Sequence, residues 1–276
     1  MGPFVSLATP AEEIPFTFVD VETTGLHVAM GDRVCEIALL RVEQDQEVTR
    51  FESLVQPPRP MTPGATAVNG ITDALLVGAP PFAELIPRLQ ALLYQSVFVA
   101  HNAPFDVSFL RHEFRAAGHA FPDLPVVDTL ALAQAHYRFS HNSLEAIATA
   151  LGVPNTTRHR AMPDVLTTRA VLACFITDLR RHGPVTLAHL MYPSDRRSAV
   201  ELATLNATLQ DALHTGRCLH IRYQAGNATQ TSRMVQPLEM SYERGHRYLR
   251  AFCHLRQDER NFRLDRIVEV KIVAEK

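Results

Sequence analysis

The sequence predicts an α/β fold in which a mixed sheet is flanked by helices, followed by a small module rich in β-strands. Short apolar strands come first, and helices then alternate with further strands, a pattern typical of a mixed sheet covered by helices. After Gly183-Pro184 the pattern changes to one helix and then short strands only. We therefore expect a first domain over residues 1–183, a linker over 184–198 and a second domain over 199–276.

The first domain begins with strands. Residues 16–21 are β-branched and aromatic and predict a buried strand, and polar breaks separate two further strands over 34–42 and 48–55. A proline-rich loop follows over 57–63. Apolar runs and helical periodicity then predict helix 82–94, strand 97–100, helix 105–117, strand 126–127 and helices 128–136 and 144–151.

The longest predicted helix covers residues 163–182. A proline in its first turn costs no hydrogen bond, its basic last turn suits the helix dipole, and Gly183-Pro184 ends it. An amphipathic helix is expected over 200–213. The second domain then has predicted strands over 219–223, 233–235, 248–253, 261–264 and 267–273.

Composition excludes some classes of protein. The 276 residues are 46% hydrophobic, enough for real cores, and the formal net charge of −2 gives no global basic field. The four cysteines form no CxxC pair, which argues against a zinc ribbon or a disulfide framework and fits a reducing cytoplasm. No apolar run approaches the roughly 18–20 residues that span a bilayer, so no membrane partner is expected.

Two carboxylates end the first strand. Side chains alternate along a strand, so Asp20 and Glu22 share one face with Phe16 and Phe18. Carboxylates at the end of a buried strand are costly unless a cation neutralises them. The alternative is that both are simply exposed at the strand end.

Three more polar residues have specific local contexts. Asp106 follows His101-Asn102 at a strand–helix junction, where capping the helix is the alternative role. Asp164 lies in the first turn of the long helix, where the helix dipole favours a carboxylate in any case. His159 precedes it in a polar segment, so burial in a core is not expected.

Together these five residues suit hydrolysis of phosphodiester bonds. Oxygen ligands favour Mg²⁺ or Mn²⁺. Two such ions roughly 3.5–4 Å apart can hold the attacking and leaving oxygens of an in-line displacement at phosphorus. A histidine that titrates near neutral pH can take a proton from the attacking water.

Residues 15–182 resemble the DnaQ-like 3′→5′ exonucleases of the DEDDh group, which include the epsilon subunit of DNA polymerase III and ribonuclease T. The matching motifs, in order, are Asp20-Val-Glu22-Thr-Thr-Gly25, Val68-Asn-Gly-Ile-Thr72, Ala100-His-Asn-Ala-Pro-Phe-Asp106, Asp128-Thr-Leu130 and His159-Arg-Ala-Met-Pro-Asp164.

The resemblance implies a ribonuclease H-like fold and assigns roles by motif. Asp20, Glu22, Asp106 and Asp164 would hold two divalent ions, Mg²⁺ or Mn²⁺, with His159 as general base. The residues expected to hold the 3′-terminal nucleotides are Thr23, Thr24, Val68, Asn69, His101, Asn102 and Phe105. Two positions depart from the usual pattern: Asn69 replaces a histidine, and Pro163 replaces a small residue.

Residues 200–273 resemble a WYL domain, a small SH3-like β-barrel, through Ile221-Arg-Tyr223, Arg233-Met-Val-Gln-Pro237, Arg247-Tyr-Leu249 and Phe262-Arg-Leu-Asp-Arg-Ile267. Arg247 replaces the eponymous tryptophan. The resemblance implies a basic and aromatic ligand surface formed by Tyr223, Arg233, Arg247, Tyr248, Arg263 and Arg266. The alternative is that these arginines pair with nearby acids.

We therefore expect a cytoplasmic, metal-dependent 3′→5′ exonuclease that releases nucleoside 5′-monophosphates from the 3′ ends of single strands. DNA is favoured over RNA, although no motif fixes the sugar. Relatives such as ribonuclease T are dimers, which leaves a homodimer open, and DNA repair or replication partners are the expected class. Two rival hypotheses are a non-catalytic nucleic-acid or nucleotide sensor and a regulatory protein dominated by its C-terminal module.

Overall fold

The structure is a computed structural model that describes residues 5–154, 159–195, 197–225, 229–243 and 246–273. The chain forms two compact units. The first consists mainly of residues 9–191 and the second mainly of residues 192–276. Each unit has its own sheet.

The sheet of the first unit has five strands in the order β3-β2-β1-β4-β5. The neighbours β1, β2 and β3 are antiparallel, whereas β4 and β5 run parallel to β1. The parallel pairs arise because helices connect those strands. The strands are β1 (Phe16–Thr23), β2 (Val34–Glu43), β3 (Gln46–Leu54), β4 (Val97–Ala100) and β5 (Val126–Asp128).

The helices of this unit are α1 (Pro63–Asn69), α2 (Asp73–Leu76), α3 (Phe82–Leu93), α4 (Ala103–Ala116), α5 (Thr129–His136), α6 (Leu144–Leu151), α7 (Ala161–Leu179) and α8 (Leu187–Met191). Helices α3 and α4 cover one face of the sheet. Val19 and Val21 of β1 belong to the same buried cluster as Phe109 and Phe114 of α4. Since strand side chains alternate, Phe18, Asp20 and Glu22 lie on the other face, against which α7 packs.

Most of the predicted elements of the first unit are present, and the main differences are as follows. Helices α1 and α2 fall where no element was predicted. Helix α7 ends at Leu179, and residues 180–182 form a 3₁₀ turn. The segment 184–198, predicted as a linker, contains α8, whose Leu187 and Leu190 are buried. The domain limits themselves stay a prediction.

The second unit contains α9 (Ala199–Thr215) and a sheet in the order β10-β6-β7-β8-β9. Ser198 begins α9 with a capping box, in which Ser198 and Glu201 each bond the other's backbone N–H. All neighbouring strands are antiparallel. The strands are β6 (Leu219–Gln224), β7 (Gln230–Glu243), β8 (His246–Cys253), β9 (Asp258–Arg263) and β10 (Ile267–Ile272).

Two expectations for this unit need correction. Within the described residues the sheet is open, with β10 and β9 at its edges, and not the closed barrel expected from the sequence. Strand β7 covers 14 residues where only 233–235 were predicted. Proline usually excludes a central strand, but Pro237 lies at a break in the register with β8, where a ladder hydrogen bond is not required.

No helix in the described part of the chain combines the length and apolar character needed to cross a membrane.

Candidate active site

Asp20 and Glu22 occupy the end of β1, as their spacing predicts. Both are half-buried, whereas the preceding residues 16–19 are fully buried. Glu22 lies directly opposite Glu36 of β2, and the register of the two strands shifts immediately afterwards, at Thr23. The strand therefore delivers two carboxylates to one face, at the point where regular pairing ends.

Asp106 reaches β1 from α4. Its helix follows β4 through Asn102, a left-handed residue with φ of +65°, and no side chain caps the helix start. The Asp106 carboxylate instead accepts a hydrogen bond from the backbone N–H of Val21, with an N–Oδ1 distance of 3.1 Å. This buried contact places Asp106 beside Asp20 and Glu22, at the same end of the sheet.

Helix α7 brings the last two predicted residues to the same place. Ligand atoms of Glu22, His159 and Asp164 all lie within 4.8 Å of one another. His159 is exposed and precedes the helix, and Asp164 is half-buried in its first turn. The structure thus brings together residues from positions 20 to 164 that the sequence motifs selected.

Ionising all four carboxyl groups of this cluster without a neutralising cation is electrostatically unfavourable. Burial and the neighbouring acids raise the pKa of Asp20 and of Asp106 well above the usual value. Burial also raises the pKa of Glu22 to about 7 and that of Asp164 to about 6, although the nearby His159 opposes the latter shift. A bound divalent cation would reverse these shifts, because it stabilises the ionised carboxylates. Oxygen ligands that crowd in this way fit a hard cation.

Glu36 is an acidic residue next to the site that sequence reasoning missed. It is buried on β2, and both of its oxygens are occupied. Arg160 donates to Oε1 through Nη2 at 2.6 Å, and the backbone N–H of Ala161 donates to Oε2 at 3.0 Å. The available signal was a lone charge in the apolar strand Val34-Cys-Glu-Ile-Ala-Leu-Leu40, since a buried charge needs a partner.

The loop after β1 is fixed by an internal carboxylate. Asp32 accepts hydrogen bonds from the hydroxyl of Thr24 at 3.3 Å and from the backbone N–H of His27 at 3.0 Å. A Cβ on Gly25 would lie 2.4 Å from Asp32 Oδ2. The carboxylate of Asp32 therefore leaves no room for a side chain at position 25, and this requires glycine there.

The residues predicted to hold the terminal nucleotides differ in their availability. Val68 and Asn102 are exposed, and Phe105 is half-buried and contacts the Phe109 ring at 4.9 Å. Thr23 and Thr24 are buried, and each hydroxyl is hydrogen-bonded within the loop. Their contacts with a substrate stay a prediction.

His101 and Asn69 use their polar atoms inside the protein. His101 Nε2 lies 2.9 Å from the Asn142 carbonyl oxygen, so this nitrogen carries the proton, and Nδ1 lies 2.9 Å from the Thr129 hydroxyl. Burial lowers the pKa of His101. The buried Asn69 accepts a hydrogen bond from the Ile71 N–H at 3.0 Å, and its amide nitrogen donates to the Thr23 carbonyl oxygen at 3.5 Å. Its proximity also lowers the pKa of the Glu22 carboxyl, against the larger effect of burial. Asn69 therefore lies beside a carboxylate of the candidate site, and its contact with a nucleotide stays a prediction.

In the second unit, several residues of the predicted ligand surface bond one another or their neighbours. Arg263 forms a bidentate pair with Asp265, at 2.5 Å for Nη2–Oδ2, and its backbone N–H donates to the Tyr223 hydroxyl. Arg247 lies over the Tyr192 ring at 5.2 Å.

The other members of that surface are Arg233, Tyr248 and Arg266. Arg233 donates to the Thr231 hydroxyl at 3.1 Å, and Tyr248 lies opposite Arg263 in the sheet. Arg266 is half-buried, and within the described residues its side chain makes no hydrogen bond or ion pair. The structure thus shows the alternative role, internal pairing, for Arg263, and the ligand role of the surface stays a prediction.

Comparison with known proteins identifies the family. Residues 17–172, more than half of the chain, match the family model for the Exonuclease family, named RNase_T, and residues 204–272 match that of the WYL domain. The chain therefore belongs to the Exonuclease family. This family agrees with the predicted class of enzyme, and the resemblance to the DnaQ-like exonucleases and to the WYL domain is confirmed.

Individual relatives agree with this assignment. The chain is 36% identical over 188 residues to the DNA polymerase III subunit epsilon-like protein of Rhodobacter capsulatus, covering 66% of this chain and 27% of that protein. This chain spans only part of the length of the first curated relatives that it matches: 27%, 14% and 12%.

Solved structures confirm the fold class. Exonuclease X, in complex with 5′ overhanging duplex DNA, is similar with a TM-score of 0.50 and 27% identity, over 65% of this chain and 98% of that chain. Escherichia coli Exonuclease I, in complex with a dT13 oligonucleotide, has a TM-score of 0.56 at 17% identity, over 87% of this chain and 55% of that one. The mixed α/β fold of the exonucleases is therefore present here.

Proposed function

We propose that this protein is a metal-dependent 3′→5′ exonuclease that hydrolyses phosphodiester bonds of single-stranded nucleic acid, with DNA favoured, and releases nucleoside 5′-monophosphates. The observation that carries the proposal is the convergence of four carboxylates and one histidine from β1, α4 and α7 at one end of the sheet. The raised pKa values of these carboxylates support a cation as their missing partner.

Asp20, Glu22, Asp106 and Asp164 would hold two Mg²⁺ or Mn²⁺ ions. When bound, such ions lower the pKa of a coordinated water and stabilise charge on the phosphoryl oxygens. The chain itself contributes fixed geometry, because the Val21 N–H donates a hydrogen bond to the Asp106 carboxylate. His159 lies exposed beside Glu22 and Asp164, where its ring nitrogen can accept the proton of the attacking water.

The proposed 3′→5′ direction of digestion and the proposed nucleic-acid substrate rest on similarity to relatives. Exonuclease X and Exonuclease I were solved with DNA, and the motifs of this chain resemble those of 3′→5′ enzymes. The exposed Val68 and half-buried Phe105 offer apolar surface for a terminal base. A homodimer, partners in DNA repair or replication and a cytoplasmic location stay predictions.

The test is digestion of a 5′-labelled oligonucleotide, run in parallel with DNA and RNA, single- and double-stranded. With Mg²⁺ or Mn²⁺ the wild-type protein should shorten the label stepwise, and Asp20→Ala should abolish this. Label that stays full-length with both metals and both sugars would refute the enzyme and leave a nucleic-acid sensor. Loss of label as a mononucleotide would show the opposite polarity.

We further propose that the second unit binds single-stranded nucleic acid through Arg266. Arg266→Gln should raise the KM for long oligonucleotides several-fold and leave the kcat on a trinucleotide unchanged. Arg250 is the matched control because it already pairs with Glu239 at 3.1 Å. The control variant Arg250→Gln should keep the wild-type KM. Equal KM values for the wild-type protein, Arg266→Gln and Arg250→Gln at every oligonucleotide length would contradict a strand-binding role for Arg266.

A further inference from the structure

One buried carboxylate next to the candidate site is not available to a metal. Glu36 lies on β2 with a side chain that is 7% exposed. Its Oε1 accepts Nε and Nη2 of Arg160 at 3.0 and 2.6 Å, and its Oε2 accepts the Ala161 N–H at 3.0 Å. Because both oxygens are occupied by donors from one short segment, Glu36 fixes that segment to the sheet.

The segment that Glu36 holds is the start of α7. Arg160 is the N-cap of the helix and has no side-chain cap of its own, so the Ala161 N–H would otherwise lack a partner. His159, one residue earlier, has a left-handed backbone with φ of +52°. This conformation costs a non-glycine residue of the order of 1 kcal/mol or more, so neighbouring contacts must hold it.

The strands supply the alignment. Glu36 lies directly opposite Glu22 in the β1–β2 register, so both carboxylates occupy the same face of the sheet. Glu22 is within 4.8 Å of His159, whereas Glu36 binds the two residues that follow His159. Of these two neighbouring strand residues, Glu36 therefore bonds the start of α7 and Glu22 lies near His159.

We propose that Glu36 and Arg160 form a positioning pair that holds the backbone of His159 in its left-handed conformation and so presents the imidazole to the reacting water. This inference rests on the proposed function. Glu36 is a positioning residue in this scheme, because it acts through His159 and touches neither substrate nor metal. Displacement of a reacting group by about 1 Å costs roughly 100-fold in rate.

The unit contains a second ion pair with the same construction. Glu113 of α4 accepts Nε and Nη2 of Arg33 at 2.8 and 2.5 Å, and also the Val34 N–H at 3.1 Å. Its side chain is 2% exposed and so even more buried than that of Glu36, but within the described residues it makes no hydrogen bond to His159 or to the start of α7. Glu113→Gln therefore reproduces the loss of a buried bidentate pair without moving the histidine.

The experiment is a double-mutant cycle on the full-length protein with Mn²⁺, which measures single-turnover cleavage of a 5′-labelled oligonucleotide. Glu36→Gln should lower the rate roughly 100-fold, and the Mn²⁺ concentration for half-maximal rate should change less than about 3-fold. In a His159→Ala background the same substitution should lower the remaining rate less than about 3-fold. Glu113→Gln should reduce the rate by the same factor in both backgrounds.

Equal factors for Glu36→Gln with and without His159 would overturn the inference, because the pair would then act on general stability or on the metal ligands. If Glu36→Gln does not fold, Arg160→Lys carries the same cycle, since this side chain is 45% exposed and lysine keeps the charge but not the bidentate geometry. An inactive wild-type protein would refute the proposed function instead, so the two failures are distinguishable.

Discussion

Replacing Glu22 with glutamine should stabilise the metal-free protein, and only at neutral or alkaline pH. Burial raises the pKa of Glu22 from 4.5 to about 7. Each pKa unit corresponds to about 1.4 kcal/mol, so ionising Glu22 in the folded protein costs about 3 kcal/mol. Partial exposure reduces this to about 2 kcal/mol. The folded state holds its proton more tightly than the unfolded state, so the free energy of unfolding falls as pH rises from about 4.5 to about 7.

Urea unfolding of the wild-type protein and of Glu22→Gln, in EDTA at pH 4.5, 6 and 8, measures this cost. The two proteins should coincide at pH 4.5, and the variant should be more stable by about 2 kcal/mol at pH 8. Taking the difference between the two proteins removes the contribution of groups that do not interact with Glu22, such as His101, whose lowered pKa acts in the opposite direction. Added Mn²⁺ should reverse the order at pH 8, because it binds the carboxylate.

Glu47 provides the control. Its carboxylate is hydrogen-bonded by Arg50, which lowers the pKa of Glu47, so Glu47→Gln should not stabilise the protein at any pH. The reasoning is refuted if Glu22→Gln and the wild-type protein have the same free energy of unfolding from pH 4.5 to 8, or if the variant is the less stable one at pH 8 without metal.

Two further predictions concern backbone geometry. Gly25→Ala places a Cβ 2.4 Å from Asp32 Oδ2 and should lower both the melting temperature and the cleavage rate. The control is Gly64→Ala, whose Cβ would have no neighbouring atom within 4 Å, and it should change neither quantity by much. Equal effects of the two substitutions would contradict the steric argument. Ser198→Ala removes the capping box with Glu201 and should cost about 1 kcal/mol by urea unfolding. Ser198→Asp, which keeps an acceptor, should restore most of that loss.

The strand-end carboxylates were predictable because their signals are local. Alternation along β1 puts Asp20 and Glu22 on one face, and the proline near the start of α7 locates Asp164. Helices α1 and α2 were missed because they have 7 and 4 residues, too few to show helical periodicity.

Long-range pairing explains the other differences. Glu36 and Arg160 are 124 positions apart, and only the register of β1 with β2 reveals that Glu36 faces the site. The partners of His101, Thr129 and the Asn142 carbonyl, likewise come from segments whose approach the sequence does not show. Local pattern therefore selected the residues of the candidate site, and tertiary contacts determine which of their neighbours support them.

Binding of Mn²⁺ tests the central claim, that β1, α4 and α7 together form a divalent-metal site, most directly. The measurement is an equilibrium titration at pH 8, followed by electron paramagnetic resonance of free Mn²⁺, with a nucleoside 5′-monophosphate present. The wild-type protein should bind two ions per chain, and Asp20→Asn and Asp106→Asn should each bind fewer. A wild-type protein that binds no Mn²⁺ at millimolar concentration, or variants that bind as much as the wild type, would contradict the claim.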